Sequence, residues 1–125
     1  MLELMPVREL QKPVRTAPDG LPTVEEFVEM ALAAFERTGM IPKKGVLVNV
    51  KADCVEGCAM GALSYRNHHA DMVKFNERWG SYFVKGVEDG FDGFNEKHKT
   101  NAIATTNYRH GYRCGRAAWE AVKDR

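Results

Sequence analysis

At 125 residues, with 44% hydrophobic and 28% charged side chains, the chain has the size and balance of one folded domain, which excludes global disorder. Its net charge of +1 gives only a weak overall field, so contact with nucleic acid or a membrane surface would need a local patch. No apolar run approaches the roughly 20 residues of a membrane span. The first residues carry Glu3 and Pro6 instead of a signal peptide's basic flank and apolar stretch, and three cysteines are an odd number for a secreted disulfide framework, so a cytoplasmic location is expected.

Residues 1–22 read as an arm. Pro6, Pro13, Pro18 and Pro22 recur with no helical period, and Asp19-Gly20 marks a turn. The arm's leucines and valines favour docking, on the body or on a partner. The first helix follows. Thr23 and Glu26 form a capping box, and Val24, Phe27, Val28, Ala31 and Phe35 make an apolar stripe. Glu25, Glu29 and Glu36 hold the solvated side, and Gly39 and Pro42 end the helix.

Residues 45–51 alternate, with Val46, Val48 and Val50 on one face and Leu47, Asn49 and Lys51 on the other, which predicts a strand. A lone strand leaves its backbone unsatisfied, so it needs a partner, either the arm around Leu2 to Leu10 or the same strand of a second subunit. Asp53 with Glu56 reads as a second capping box, opening a helix from about Cys54 to Tyr65. That helix is rich in small residues, and each of its glycines, Gly57 and Gly61, costs it about 1 kcal/mol against alanine. Close approach by another backbone is the natural compensation. Asn67-His68-His69 suggests a loop, and Asp71 to Trp79 a short helix carrying Met72, Phe75 and Trp79 on one side.

A further helix is expected from about Ser81 to Phe91, with Phe83, Gly86, Val87, Gly90 and Phe94 on one face and Lys85, Glu88, Asp89 and Asp92 pointing away into solvent. After a polar connection over residues 94–104, the last helix starts near Thr105 to Asn107 and ends near Val122. Its apolar face holds Tyr108, Gly111, Tyr112, Gly115, Trp119 and Val122; its polar face holds Arg109, Arg113, Arg116 and Glu120. The fold class is therefore mainly α: a small bundle of four or five helices over residues 23–125, with one short β-strand or hairpin near 45–51. Glycines four apart, Gly57 with Gly61, Gly86 with Gly90 and Gly111 with Gly115, let neighbouring helices approach more closely than the usual axis separation of about 8–10 Å.

The run Phe83-Val84-Lys85-Gly86-Val87-Glu88-Asp89-Gly90-Phe91-Asp92-Gly93, a polar stretch, and Tyr108-Arg109-His110-Gly111-Tyr112-Arg113-Cys114-Gly115 together resemble the ribosome modulation factor family. That resemblance spans residues 83–115. It implies a helical hairpin that binds ribosomal RNA and promotes hibernating ribosome dimers. The chain departs from that strongly basic family through Glu88, Asp89 and Asp92. Cys58-Ala59-Met60-Gly61-Ala62-Leu63 is also similar to a Cys-Ala-x-Gly-Ala-Leu helix of small bacterial and phage proteins of uncharacterised function.

Two groups of residues bear chemistry. Arg109, Arg113 and Arg116 form a ridge suited to phosphate, with Tyr108 and Tyr112 as stacking groups; salt bridging to the acidic preceding helix is the plainer reading of the same arginines. Cys54, Cys58, His68 and His69 fall within sixteen residues, but their spacing is not that of a zinc knuckle or finger, and buried packing cysteines are the better reading. For thiol chemistry Cys54 would sit at a helix N-terminus, which lowers a thiol pKa, with His68, His69 or His110 as base. Cys114 reads as a packing residue. No phosphate-loop, Rossmann or nucleophile-elbow pattern is present, and no cofactor is implied. The expectation is a non-enzymatic binding protein, such as a small bacterial or phage inhibitor or adaptor, working through a macromolecular surface and self-associating, with a homodimer as the commonest outcome. An RNA- or ribosome-binding protein is the first alternative, and a cysteine- or metal-dependent enzyme the second.

Overall fold

The computed structural model describes residues 17–97 and 102–124. Most of the N-terminal arm and its docking fall outside these residues. The described residues form five α-helices, a single 3-10 turn and a three-stranded sheet, a mainly α protein with a short β element. None of these helices is long and apolar enough to cross a membrane.

Helix α1 (Val24–Thr38) is set at both ends by local chemistry. The Glu26 amide donates to Thr23 Oγ1 at 3.0 Å, and the Thr23 amide donates to Glu26 Oε1 at 2.8 Å, so two otherwise orphaned donors are satisfied reciprocally. Gly39 closes the helix in the left-handed conformation, its N–H returning to the Phe35 carbonyl. Before the helix, the Leu21 amide bonds the Pro18 carbonyl across the expected Asp19-Gly20 turn.

Strands β1 (Ile41–Pro42), β2 (Val48–Val50) and β3 (Val55–Gly57) form a sheet in the order β1-β3-β2, with β1 parallel and β2 antiparallel to β3. The alternating segment thus finds a partner in β3 of the same chain. Val50 opposes Val55 and Asn49 opposes Glu56. The Lys51 amide closes the hairpin on the Cys54 carbonyl at 2.8 Å.

The helix expected from Cys54 to Tyr65 is therefore corrected. Its first part is β3, and only Ala59–Leu63 is helical, as α2, with Cys58 as its N-cap. Glu56 caps nothing. Its carboxylate accepts from Asn49 Nδ2 at 3.1 Å and pairs with Lys51 at 3.4 Å, both across the hairpin. Gly57 belongs to a strand, yet it is small for the reason that Gly61 is. A Cβ on either would overlap the Leu47 carbonyl oxygen, so both yield space to the backbone entering β2.

After a 3-10 turn at Tyr65–Asn67, helix α3 (His68–Trp79) takes in His68 and His69 of the stretch expected as loop, beginning three residues before Asp71. Helix α4 (Ser81–Asp92) ends on a left-handed Gly93, and helix α5 (Ala102–Val122) starts three residues ahead of Thr105. The core is aromatic. Phe27, Trp79 and Phe83 meet edge to face with centroids 5.2–6.1 Å apart; Phe35 stacks on Phe91, and Phe91 meets Trp119 at 5.3 Å. Such side chains contribute roughly 1.5–3 kcal/mol each on full burial, which makes this cluster the main support of the helix arrangement.

The closest contact is between α4 and α5. A Cβ on Gly86 would overlap the Tyr108 carbonyl oxygen, and one on Gly90 the Tyr112 carbonyl oxygen. Reciprocally, Gly111 yields to the Phe83 carbonyl and Gly115 to the Val87 carbonyl. The two backbones touch at four points, each where one helix lacks a side chain.

Candidate functional site

The glycine seam fixes which residues of α5 face outward. Ala104, Tyr108, Gly111, Cys114, Ala118 and Val122 turn inward, and the three- and four-residue steps between Arg109, Arg113 and Arg116 keep those side chains exposed. Arg109 pairs with Glu96 in the preceding connection, its Nε donating to Oε2 at 2.8 Å. Among the described residues no ion pair engages Arg113 or Arg116. The ridge is thus not neutralised by the acidic face of α4.

Beside Arg116 lies a polar groove of about 260 Å³, lined among others by Lys44, Asn95, Tyr112 and Trp119. The Lys44 ammonium sits 4.8 Å from the centre of the Trp119 ring, a cation–π contact that holds a second positive charge near the ridge. Sequence reading missed Lys44, because nothing local to residues 43–45 places it against a helix that starts nearly sixty residues later.

The two tyrosines of the ridge have different fates. Tyr112 is half-buried and donates its hydroxyl to the Phe94 carbonyl at 2.6 Å, which ties the α4–α5 connection to α5. Tyr108 is fully buried. Its hydroxyl donates to Asp89 Oδ2 at 2.6 Å and accepts the Lys97 amide at 3.1 Å, which puts its ring out of reach of an external base. Burial, and then the Asp89 bond, push the Tyr108 hydroxyl up to about 12.

Asp89 itself corrects the sequence reading, which placed it with Glu88 and Asp92 in solvent. It is 1% exposed. It lies one row from Gly86, and the close approach of α5 there folds Tyr108 over it. Lys97 Nζ reaches its Oδ2 at 3.3 Å and Lys85 Nζ its Oδ1 at 3.6 Å. Burial would raise its carboxyl, but the Tyr108 and Lys97 hydrogen bonds and the two lysine charges outweigh that and hold it below the usual range.

Cys54 precedes β3, not a helix, so it lacks the helix N-terminus that would lower its thiol; desolvation, then the charges of Asp53 and Glu56, raise it. Burial pushes Cys58 and Cys114 up to about 12. His68 and His69 open α3, and their side chains lie outside the described ones. His110 meets Cys114, with Nε2 3.7 Å from Sγ. The same Nε2 lies 2.6 Å from the Pro22 carbonyl, which only accepts, so this nitrogen carries the proton and cannot take one from the thiol. Among the described residues no three His, Cys, Asp or Glu side chains are placed to hold a metal ion.

Comparison of the chain with protein-family models, with curated proteins and with solved structures finds no match.

Proposed function

We propose that the protein is a non-enzymatic binding factor whose working surface is the outer face of α5, and that the partner is a phosphate-bearing macromolecule, RNA by its chemistry. The observation that carries this reading is the pair Arg113 and Arg116, exposed and without an ion pair among the described residues, beside the Lys44–Trp119 contact. Exposed arginines with no ion pair among the described residues suit phosphate oxygens, which guanidinium groups bind bidentately. The likeness of residues 83–115 to the ribosome modulation factor pattern points the same way, toward a ribosomal partner and action in the cytoplasm. With Tyr108 buried, the reading rests on backbone phosphate contacts and not on base stacking.

Fluorescence anisotropy of a labelled single-stranded RNA, titrated at several salt concentrations, tests it. Binding should weaken linearly on a log–log plot against salt, and Arg113→Ala with Arg116→Ala should reduce the slope by roughly 1.4, about 0.7 per lost phosphate contact on a single strand. Arg109→Ala should change it less, because Glu96 already engages that side chain. No RNA binding at low salt ends the proposal.

A second reading, self-association, has its own observation. The glycine faces are consumed within one chain, but among the described residues β2 is an edge strand and its Val50 is 69% exposed. Pairing of two β2 edges about a two-fold axis would give a dimer; sedimentation equilibrium of the wild type against Val50→Lys would detect it, and a concentration-independent monomer mass would exclude it.

A further inference from the structure

A cleft of about 220 Å³ lies between α4 and the segment leading into β2. Glu88, Asp89 and Asp92 line it together with Cys58, the Gly45 to Leu47 segment and, half exposed, Phe94. An acidic face on a helix ordinarily needs no explanation, but this one is built differently. The Asp89 side chain is sealed, and its Oδ1 has no hydrogen-bond partner; Lys85 Nζ, at 3.6 Å, is too far to donate. A buried carboxylate oxygen without a donor is the unusual case in folded proteins. Asp92 is held toward the loop because its Oδ1 accepts the Gly45 amide at 2.8 Å. Neither Glu88 nor Asp92 has an ion pair among the described residues.

We propose that this cleft binds a primary ammonium group, from a free polyamine or from a lysine side chain of a partner, with Asp89 Oδ1, Glu88 and Asp92 as its acceptors. An ammonium offers three donors from one compact charge, which suits three carboxylates around a small opening. A guanidinium needs a flat, bidentate carboxylate, and here one oxygen each of Asp89 and Asp92 is already committed. A divalent ion needs about six converging oxygens, and with one oxygen each of Asp89 and Asp92 committed the three carboxylates leave fewer than that. The Asp89 carboxylate already accepts one ammonium group, from Lys97, while Lys85 stands near Oδ1 without bonding it. The half-exposed Lys85 stands where the ligand would approach, and binding displaces it. The aliphatic stem of the ligand would run along Phe94 and the Val46–Leu47 segment. Burial, followed by repulsion among neighbouring carboxylates, already raises the Glu88 and Asp92 carboxyls, which is the state an added cation relieves.

The test is a titration of the full isotope-labelled chain, followed by backbone amide chemical shifts at about 0.15 M ionic strength. One arm adds spermidine, a second adds a blocked single lysine, and a third adds magnesium chloride. Saturable shifts confined to residues 45–47 and 88–94 are expected in the first two arms, and the tighter of the two identifies the source of the ammonium. Glu88→Gln should weaken binding about tenfold, the loss typical of one hydrogen bond to a charged group. Lys85→Ala should tighten it by removing the competing charge. Both positions are half-exposed or exposed, so neither substitution threatens the fold. Equal shifts with magnesium, shifts that do not saturate, or affinities unmoved by either substitution would overturn the proposal.

Discussion

A carboxylate sealed at 1% exposure stays ionised only if its surroundings replace the water it lost, and at Asp89 the Tyr108 hydroxyl and two lysines do so. Its folded pKa is depressed, so its contribution to stability is fully present above the unfolded value and is lost as pH falls through the folded one. Asp89→Asn should cost about 2 kcal/mol at neutral pH, the scale of a broken buried hydrogen bond to a charged group. The gap from wild type should narrow as pH drops below about 4. Urea denaturation at both pH values measures it, and a gap that stays constant contradicts this account. Glu88, one residue away, carries the opposite sign. Burial and then its acidic neighbours raise its folded pKa, so its favourable contribution exists below the unfolded value and disappears as pH rises through the folded one. Glu88→Gln should therefore raise the Tm at pH 7, with the gain vanishing below about pH 4; a lower Tm at pH 7 would count against it. A carboxylate kept at a cost in stability is a common mark of a binding site, which is the role proposed for the cleft.

At the scale of elements, the α4–α5 contact sets two known effects against each other. Gly111→Ala gains about 1 kcal/mol of helix propensity. The added Cβ, however, has to occupy the place of the Phe83 carbonyl oxygen, a backbone atom that cannot swing aside. Overpacking of this kind typically costs 1–3 kcal/mol, so the net change should be a loss of about 1 kcal/mol. Chemical denaturation decides by sign, and a stabilised Gly111→Ala would mean the two backbones do not touch. This packing was legible in the sequence because its signals are local: glycines four apart, aromatic residues between them, and stop glycines at the helix ends. The caps of α1 were legible for the same reason. β3 was not. Val55 to Gly57 is a strand because β1 and β2 lie on either side of it, while its small residues happen to fall at helical spacing. Asp89 was hidden too, since its burial depends on Tyr108, nineteen positions on. Local periodicity places such a residue correctly on its own helix and says nothing of what the next helix brings to it.

At the scale of the whole molecule, the three free thiols report whether the sheet, the short helix and the helical hairpin open together. Cys58 lies where β3 meets α2 and Cys114 lies in α5, yet both belong to one continuous buried cluster with Phe27, Phe35 and Phe91. Burial hides each thiol and pushes it up to about 12, so at pH 8 neither the sulfur atom nor its thiolate is available in the folded state. Cys54 is only partly covered, and its thiol is raised as well, so it should react first but more slowly than an unhindered thiol. Labelling with a disulfide reagent at pH 8 should give one early modification, followed by Cys58 and Cys114 at a common rate. If one core holds the sheet and the hairpin, that rate should follow urea with the full slope of global unfolding, because each thiol becomes accessible only when the shared cluster opens. Mass spectrometry of peptides across the time course separates the sites. Should Cys58 react well before Cys114 with a shallow urea dependence, the sheet and α2 open as a unit of their own, and the cleft beside Glu88 would open with them.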